Sequence, residues 1–292
     1  MPSGELLRRI LLWYARGPEH PAKFRVLQWL GQHVFPHEGI VAKVPPGVWL
    51  LLHPRDWIEY LLLRGESYEP LTIDFLLRNL TTNGGALLAG VSFGLHAVVA
   101  ARAVGPGGVI VAVEPQPSSI LRAAANLQLN GLATRVRIVA AALGDEFGLV
   151  PVKWAPEENR GTATLLDSGP GGFTAPVLPA ETLWRAFDRQ RFTLALLDVQ
   201  GYEVRVLSAL LPGHRPDVMI CEADEALLRS AGSSITELVG LLTRFDYGVF
   251  DLFGRELNAP HGSIPENNIV AVQKGWQAVW LDAATVAGVG PG

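Results

Sequence analysis

Residues Gly84 to Pro115 read GGALLAGVSFGLHAVVAARAVGPGGVIVAVEP, and this stretch decides the fold. Ala86 to Ala89 is a short apolar run. A loop bounded by glycines follows, Gly90-Val91-Ser92-Phe93-Gly94. Leu95 to Val104 is rich in alanine and valine and predicts a helix. Gly105-Pro106-Gly107-Gly108 stops it, because glycine and proline punctuate regular structure. Val109 to Val113 is a second run of strand formers and ends at Glu114-Pro115. Strand, loop, helix, turn and strand make one βαβ unit, with an acid at the tip of its second strand.

That arrangement implies a ligand. Glycines let a backbone pass close under a bound molecule, and the N–H groups opening a helix favour an anion. Glu114 lies 20 residues beyond Gly94, a spacing at which an acid reaches ribose hydroxyls. The dinucleotide fingerprint is G-x-G-x-x-G, whereas this loop is G-x-x-x-G. Ser92 stands where a pyrophosphate would need the middle glycine. A nucleoside carrying only a carboxylate, such as S-adenosylmethionine, needs less. The plain alternative is a glycine-rich βα turn with no ligand.

Working outward, the chain of 292 residues is 49% apolar, enough for a large core. Charged residues are 18% and the net charge is −4, which argues against disorder and gives no global electrostatic case for nucleic acid. The single cysteine, Cys221, excludes an internal disulfide and a cysteine-rich metal site, and its apolar surroundings predict a buried thiol. No His/Asp/Glu cluster has metal-ligand spacing. Leu6 to Tyr14 is too short and too interrupted by Arg8 and Arg9 for a signal peptide. Ser92, His96 and Arg102 argue against a membrane span at residues 86–104. The expectation is a soluble cytoplasmic protein.

Glu5 to Arg16 and Pro21 to Val34 predict two helices. The pair could act as a lid, as a homodimer face or as plain packing, and packing is the default. Gly39 to His53 predicts a hairpin around Pro45-Pro46-Gly47, and Asp56 to Leu63 a short helix. This places an N-terminal helical and hairpin extension at residues 1–65 and the main domain at 66–287. Leu71 to Leu80 is a helix leading into the central strand, so Tyr68 and Glu69 fall near the glycine loop. Glu69 is either a partner for an ammonium group or a solvated loop acid.

Beyond Glu114 the pattern predicts a helix at Ser118–Asn130, strands at Val136–Ala140 and Leu149–Trp154, loops at Glu157–Gly161 and Ser168–Gly172, and a helix at Glu181–Phe187. Phe192 to Leu197 is a buried strand ending at Asp198. Carboxyl strand ends are where open α/β sheets bind ligands, so Asp198 is a candidate catalytic base; its alternative is to cap the following helix. Val218 to Cys221 is another strand ending in an acid, Glu222. Ser234 to Phe245 predicts a helix. Val249–Phe253 and Asn268–Gln273 are late strands with no evident helix between them and predict an antiparallel pair. The tail from Gly288 is expected to fray.

Together these residues resemble the FkbM-type methyltransferases. The resemblance rests on Tyr68-Glu69-Pro70, the GVSFG loop, Gly105-Pro106-Gly107-Gly108, Glu114-Pro115, Asn126 with Leu129-Asn130-Gly131, Ala142-Leu143-Gly144-Asp145, Asp198-Val199 with Gly201 and Glu203, and Pro216 with Glu222. It covers slightly more than half of the chain. It implies an α/β, Rossmann-like class I methyltransferase fold: a seven-stranded sheet, mostly parallel, with the last strand antiparallel. It implies S-adenosyl-L-methionine as cofactor and a small-molecule hydroxyl as acceptor, of sugar, lipid or polyketide type. The implied cofactor residues are Glu69, Gly90, Ser92, Gly94, Glu114, Pro115, Ala142 and Asp145, with Asp198 catalytic.

Four positions depart from the family pattern. Leu88 replaces an acid, Ser92 an asparagine, Leu196 a lysine and Gln200 a glutamate. An acid at 88 normally helps to hold the methionyl ammonium, and losing a charge-assisted hydrogen bond costs about 1.5–3 kcal/mol. Glu69 is placed to compensate. Two other readings stand beside an active methyltransferase: a degenerate binding protein or scaffold, favoured by these departures, and a nicotinamide-dependent oxidoreductase, disfavoured by the missing third glycine.

Overall fold

The computed structural model describes residues 2–34, 39–154, 172–187, 192–257 and 263–281. In chain order the elements begin with helices α1 (Pro2–Arg16) and α2 (Lys23–His33), the hairpin strands β1 (Ile40–Val44) and β2 (Val48–Leu52), and helices α3 (Trp57–Arg64) and α4 (Pro70–Asn79). The βαβ unit follows as β3 (Gly85–Ala89), α5 (Leu95–Val104) and β4 (Val109–Val113). Then come α6 (Pro117–Leu129), β5 (Val136–Val139), β6 (Ala142–Gly144), β7 (Gly148–Lys153), β8 (Gly172–Pro179) and α7 (Ala180–Ala186). The last part is β9 (Phe192–Leu197), α8 (Glu203–Leu210), β10 (Val218–Glu222), α9 (Glu225–Ser230), α10 (Ile235–Arg244), β11 (Tyr247–Phe250) and β12 (Asn268–Gln273).

Seven strands form one sheet in the order β11-β12-β10-β9-β3-β4-β5. β12 runs antiparallel to both of its neighbours, and the other recorded pairings are parallel. This is the mostly parallel sheet with an antiparallel last strand that the pattern predicts. Its central strands are near-continuous apolar runs because helices cover both faces. Period-two alternation divides them: Leu88, Ile110, Leu196 and Ile220 face one hydrophobic cluster, and Leu87, Val111, Leu197 and Cys221 the other. Burying each such large side chain contributes roughly 1.5–3 kcal/mol. Cys221 is a buried free thiol, as its apolar run predicts.

A second sheet, β6-β8-β7, has three strands. Sequence reasoning found only β7, at Leu149–Trp154. β6 is three residues long, and β8 carries Pro176 and Pro179, which demote a run to non-strand on propensity alone. α9 also escaped the reading; it is a short helix capped by Asp224, whose Oδ1 accepts from Ala226 N at 2.8 Å. The loop expected at 157–161 lies outside the described residues, as does the second loop except for Gly172, which opens β8. The tail from 288 also lies outside them. No helix among the described residues is long and apolar enough to cross a membrane.

The N-terminal elements share a hydrophobic cluster with α5 and the sheet, through Leu11, Leu27, Leu50 and Leu63. Two asparagines of α6 hold β2, which pairs with β1 on its other side. Asn126 Oδ1 accepts from Leu51 N at 2.7 Å and Asn130 Oδ1 from Trp49 N at 3.0 Å. Asn126 Nδ2 also donates to Phe93 O at 2.8 Å, so the same side chain reaches the glycine loop. Side-chain amides here do the work of a neighbouring strand, satisfying backbone groups that would otherwise be stranded.

A buried ion pair adds to this contact. Glu59 on α3 is fully buried and pairs with Arg122 on α6, while its Oε2 accepts from His53 N at 2.6 Å. The Arg122 guanidinium lies 5.5 Å from the Phe93 ring centroid. Glu59→Ala is expected to lose about 3–5 kcal/mol of stability in denaturant unfolding, because Arg122 is left charged and unpaired in the interior. Glu59→Ala with Arg122→Met should recover most of that loss. A single variant as stable as the parent would show that the pair does not hold the extension.

Candidate active site

The strand order reverses between β4 and β9 on either side of β3, which opens a crevice at the carboxyl ends of these strands. A cavity of about 470 Å³ lies there, within the roughly 300–1,000 Å³ usual for ligand pockets. Its wall includes Glu69, Gly90, Ser92, Glu114, Pro115, Ala142 and Asp198, seven of the nine residues expected at the site. Gly94 and Asp145 do not line it. Asp145 is exposed beyond β6. Gly94 acts behind the wall: with φ +92°, it packs so close to α6 that a Cβ would stand 2.9 Å from Ala123 Cα. His96 and Tyr68 also line the cavity.

Gly90 has a structural reason beyond any ligand. Its φ is +81°, and an added Cβ would fall 1.7 Å from the Asp198 carbonyl oxygen. The ends of the parallel neighbours β3 and β9 run side by side here, and Asp198 N donates to Ala89 O at 3.0 Å. Ser92 has φ +47°, a left-handed conformation in which asparagine is more at ease, which accounts for the family's preference. Its N–H donates to Glu114 Oε2 at 2.9 Å, and Gln116 N donates to Oε1 at 2.9 Å. Two backbone bonds thus orient the Glu114 carboxyl and leave it further lone pairs. Burial pushes this carboxyl up to about 7, against the pull of those two bonds.

Glu69 meets a cation already inside the protein. Its Oε2 is 3.2 Å from His96 Nε2. Burial alone would raise the Glu69 carboxyl, but the bonds and charge of His96 and a bond from Tyr68 hold it below its usual range. Burial would likewise lower the His96 imidazole, and Glu69 outweighs that and raises it. Glu69 is therefore a largely buried acid with a partner inside the protein, and not a solvated loop acid. α4, which starts at Glu69, is anchored from across the sheet. Glu266, before β12, accepts from Leu71 N and Thr72 N, each at 2.8 Å, and from Thr72 Oγ1 at 2.6 Å.

Asp198 does not cap α8. The N-cap position is Tyr202, with no side-chain cap bond, and Glu203 Oε1 accepts from Val199 N at 3.0 Å. Asp198 Oδ1 instead accepts from Gln200 Nε2 at 2.8 Å, and the same amide reaches Glu222 Oε2 at 3.2 Å. Burial and then the Glu69 charge raise the Asp198 carboxyl. Burial and then the Asp198 charge push Glu222 up to about 10. Both carboxyls are thus held toward their protonated forms. Gln200 serves this pair as a donor between two acceptors; a glutamate there would add a third negative charge. Glu222 was legible as a strand-end acid but not as a partner, since the parallel pairing of β9 with β10 is a tertiary fact.

The Leu88 and Leu196 departures are also one feature. They stand opposite each other in register across β3 and β9, and both are buried. An apolar pair replaces what the family pattern writes as acid and lysine, an exchange that is often neutral or stabilising in a protein interior. An acid at 88 alone would face Leu196 with its desolvation uncompensated. Leu88 lies in the core cluster and does not line the cavity, so the expected penalty at the ligand wall has no counterpart in this geometry.

The cavity wall carries Glu69, Glu114, Asp198, Glu222 and Asp224, and its lining residues include no lysine or arginine. Such a wall suits a ligand with positive charge and hydroxyl groups. Among the described residues, no group of three or more His, Cys, Asp or Glu side chains is arranged to hold a metal ion.

The pKa shifts predict how stability depends on pH. Glu114 and Glu203 are both raised to about 7 from 4.5, mainly by burial, and His96 is raised from 6.5. Stability from a raised group is fully present below its unfolded pKa and is lost as pH rises through the folded one. The ligand-free protein should therefore melt at a lower temperature at about pH 8 than at about pH 5.5. Glu203→Gln keeps an acceptor for Val199 N and should flatten that slope. Calorimetric melts across this range check it, and a midpoint that climbs with pH would contradict the assignment.

Comparison with known proteins now bears on this geometry. Solved structures similar to the chain include an O-methyltransferase from Bacillus cereus in complex with SAH, at 14% identity and TM-score 0.41, covering 71% of this chain and 83% of that one. The O-methyltransferase TomG from Streptomyces achromogenes, in complex with SAM, is 15% identical with TM-score 0.38, covering 70% and 77%. A SAM-dependent O-methyltransferase from Thermotoga maritima is 17% identical with TM-score 0.42, covering 84% and 82%. Likenesses of this order carry no information about the substrate. No curated protein matches the chain. Residues 89–249, more than half of the chain, match the methyltransferase FkbM domain, and the protein belongs to this family of S-adenosylmethionine-dependent methyltransferases.

Proposed function

We propose that the protein transfers a methyl group from S-adenosylmethionine to a hydroxyl of a small molecule, with Asp198 as the base. The observation that carries this reading is the Asp198–Gln200–Glu222 cluster at the strand ends, beside the Glu114 carboxyl. The acidic wall, which carries no lysine or arginine, fits the cofactor, whose sulfonium and ammonium groups are positive.

S-adenosylmethionine supplies an already activated methyl group when bound. The protein's task is then alignment and proton management. In this reading Glu114 accepts from the ribose hydroxyls with the lone pairs left by Ser92 and Gln116. Gly90, Ser92, Pro115 and Ala142 form the adjoining wall, and Gly94 keeps the loop tight against α6. The ionised Glu69, balanced by His96, faces the ammonium end. Asp145 has no assigned contact and drops to the weakest of the cofactor residues. Asp198 takes the hydroxyl proton. A carboxyl with a raised pKa is a stronger base than an exposed one, and the Gln200 amide orients Asp198.

Two substitutions separate these roles. Asp198→Asn should keep thermal stability and cofactor affinity while methyl transfer falls about a hundredfold or more, the low end for losing a general base. The assay is transfer from labelled S-adenosylmethionine to a panel of sugars, lipids and polyketide-like alcohols. Undiminished turnover would remove Asp198 from the mechanism. Glu114→Ala should weaken cofactor binding about tenfold, or 1.4 kcal/mol, in calorimetric titration of a folded variant. Unchanged affinity would overturn the ribose assignment.

A further inference from the structure

We propose that the outward face of α1 and α2 docks on an anionic lipid surface. A surface helix ordinarily has one apolar stripe, turned to the core, and a polar opposite side. α1 is apolar on both sides. Leu11 and Ala15 are buried against the body of the protein. Leu6, Ile10 and Trp13 are spaced by four and three residues on the opposite side, and they are 61%, 52% and 77% exposed. On α2 the buried positions are Lys23, Leu27 and Gly31, and the outward ones include Val26 and Trp29, the latter 56% exposed. Among the described residues this outward stripe of leucine, isoleucine and tryptophan stays exposed.

Charge selects the occupant. Residues 1–34 hold five basic side chains (Arg8, Arg9, Arg16, Lys23 and Arg25) against two acidic ones (Glu5 and Glu19), a balance of +3 in a chain whose total is −4. Arg9, Arg16 and Arg25 are exposed. On the helical wheel Arg9 flanks the Leu6–Ile10–Trp13 stripe on one side, and Arg25 stands one turn from Trp29; Arg16, on the same flank, is turned back onto the protein and donates to Lys43 O at 3.3 Å. Apolar and aromatic side chains edged by arginine are the composition of helices that lie in a membrane interface, with the tryptophan ring at headgroup level and the cations on anionic lipid. A second copy fits less well. In an antiparallel twofold contact the arginine flank would meet its own copy, and α1 has no acid after Glu5 to answer it.

The test is co-sedimentation of the full chain with phosphatidylcholine vesicles, with and without phosphatidylglycerol, alongside its solution mass without vesicles. Binding is expected on the anionic vesicles, weaker on the neutral ones, and declining as salt rises. Ile10→Glu with Trp13→Glu should lower vesicle affinity at least tenfold while leaving the thermal midpoint and S-adenosylmethionine affinity unchanged. Arg25→Glu, which keeps the apolar stripe, should weaken binding to anionic vesicles selectively. No binding to anionic vesicles, or equal binding by the Ile10/Trp13 variant, would overturn the proposal. So would a dimer in solution that those two substitutions dissociate, since the face would then be an interface between copies.

Discussion

The site depends on a single backbone contact. Asp198 N donates to Ala89 O where β9 leaves the sheet beside β3, and Gly90 lies against the Asp198 carbonyl with no room for a side chain. That contact sets how far the glycine loop stands from Asp198. Everything that lines the cavity on either side is positioned relative to it: Ser92 and through it Glu114 on one flank, Gln200 and Glu222 on the other. A methyl at Gly90 would force the two strand ends apart, because the atom it meets is backbone and cannot rotate away. The glycine that looks like a ligand-binding signature is first of all a requirement of the close approach of two neighbouring strand ends.

Electrostatics follows from the same crowding. Parallel strands end at a common edge, so acids at the tips of β4, β9 and β10 are brought together whether or not they attract. The protein manages the repulsion in two ways. His96 lies against Glu69, and burial beside Asp198 holds Glu222 toward its protonated form. What remains is a wall of carboxyls raised by burial and waiting for positive charge or hydroxyl donors. A cationic methyl donor suits such a wall, and the cost of keeping these acids buried is the reason stability should fall as the carboxyls ionise.

The positions that break the family pattern gain a common explanation. Leu88 and Leu196 are partners across two strands, so replacing an acid and a lysine by two leucines leaves no orphan charge. Gln200 gives one amide to two carboxyls. These are coordinated changes within a packed site, and they remove the reason for regarding the site as decayed.

Much of this was legible in the sequence. The run from Gly84 to Pro115 specified its βαβ unit because each piece is local: apolar runs of strand length, a helix stopped by Gly-Pro-Gly-Gly, and an acid at a strand tip. The antiparallel last strand followed from two late strands with no helix between them. Other features were beyond local reading. β6 exists only by pairing with β8, and β8 forms between β6 and β7 against the propensity of two prolines. The Glu69–His96, Glu59–Arg122 and Asp198–Gln200–Glu222 contacts join side chains 27, 63 and up to 24 residues apart. Composition along the chain determined which segments would be buried. Only the strand order and register decided which buried polar groups would meet, because a parallel sheet brings together the ends of strands that are distant in sequence.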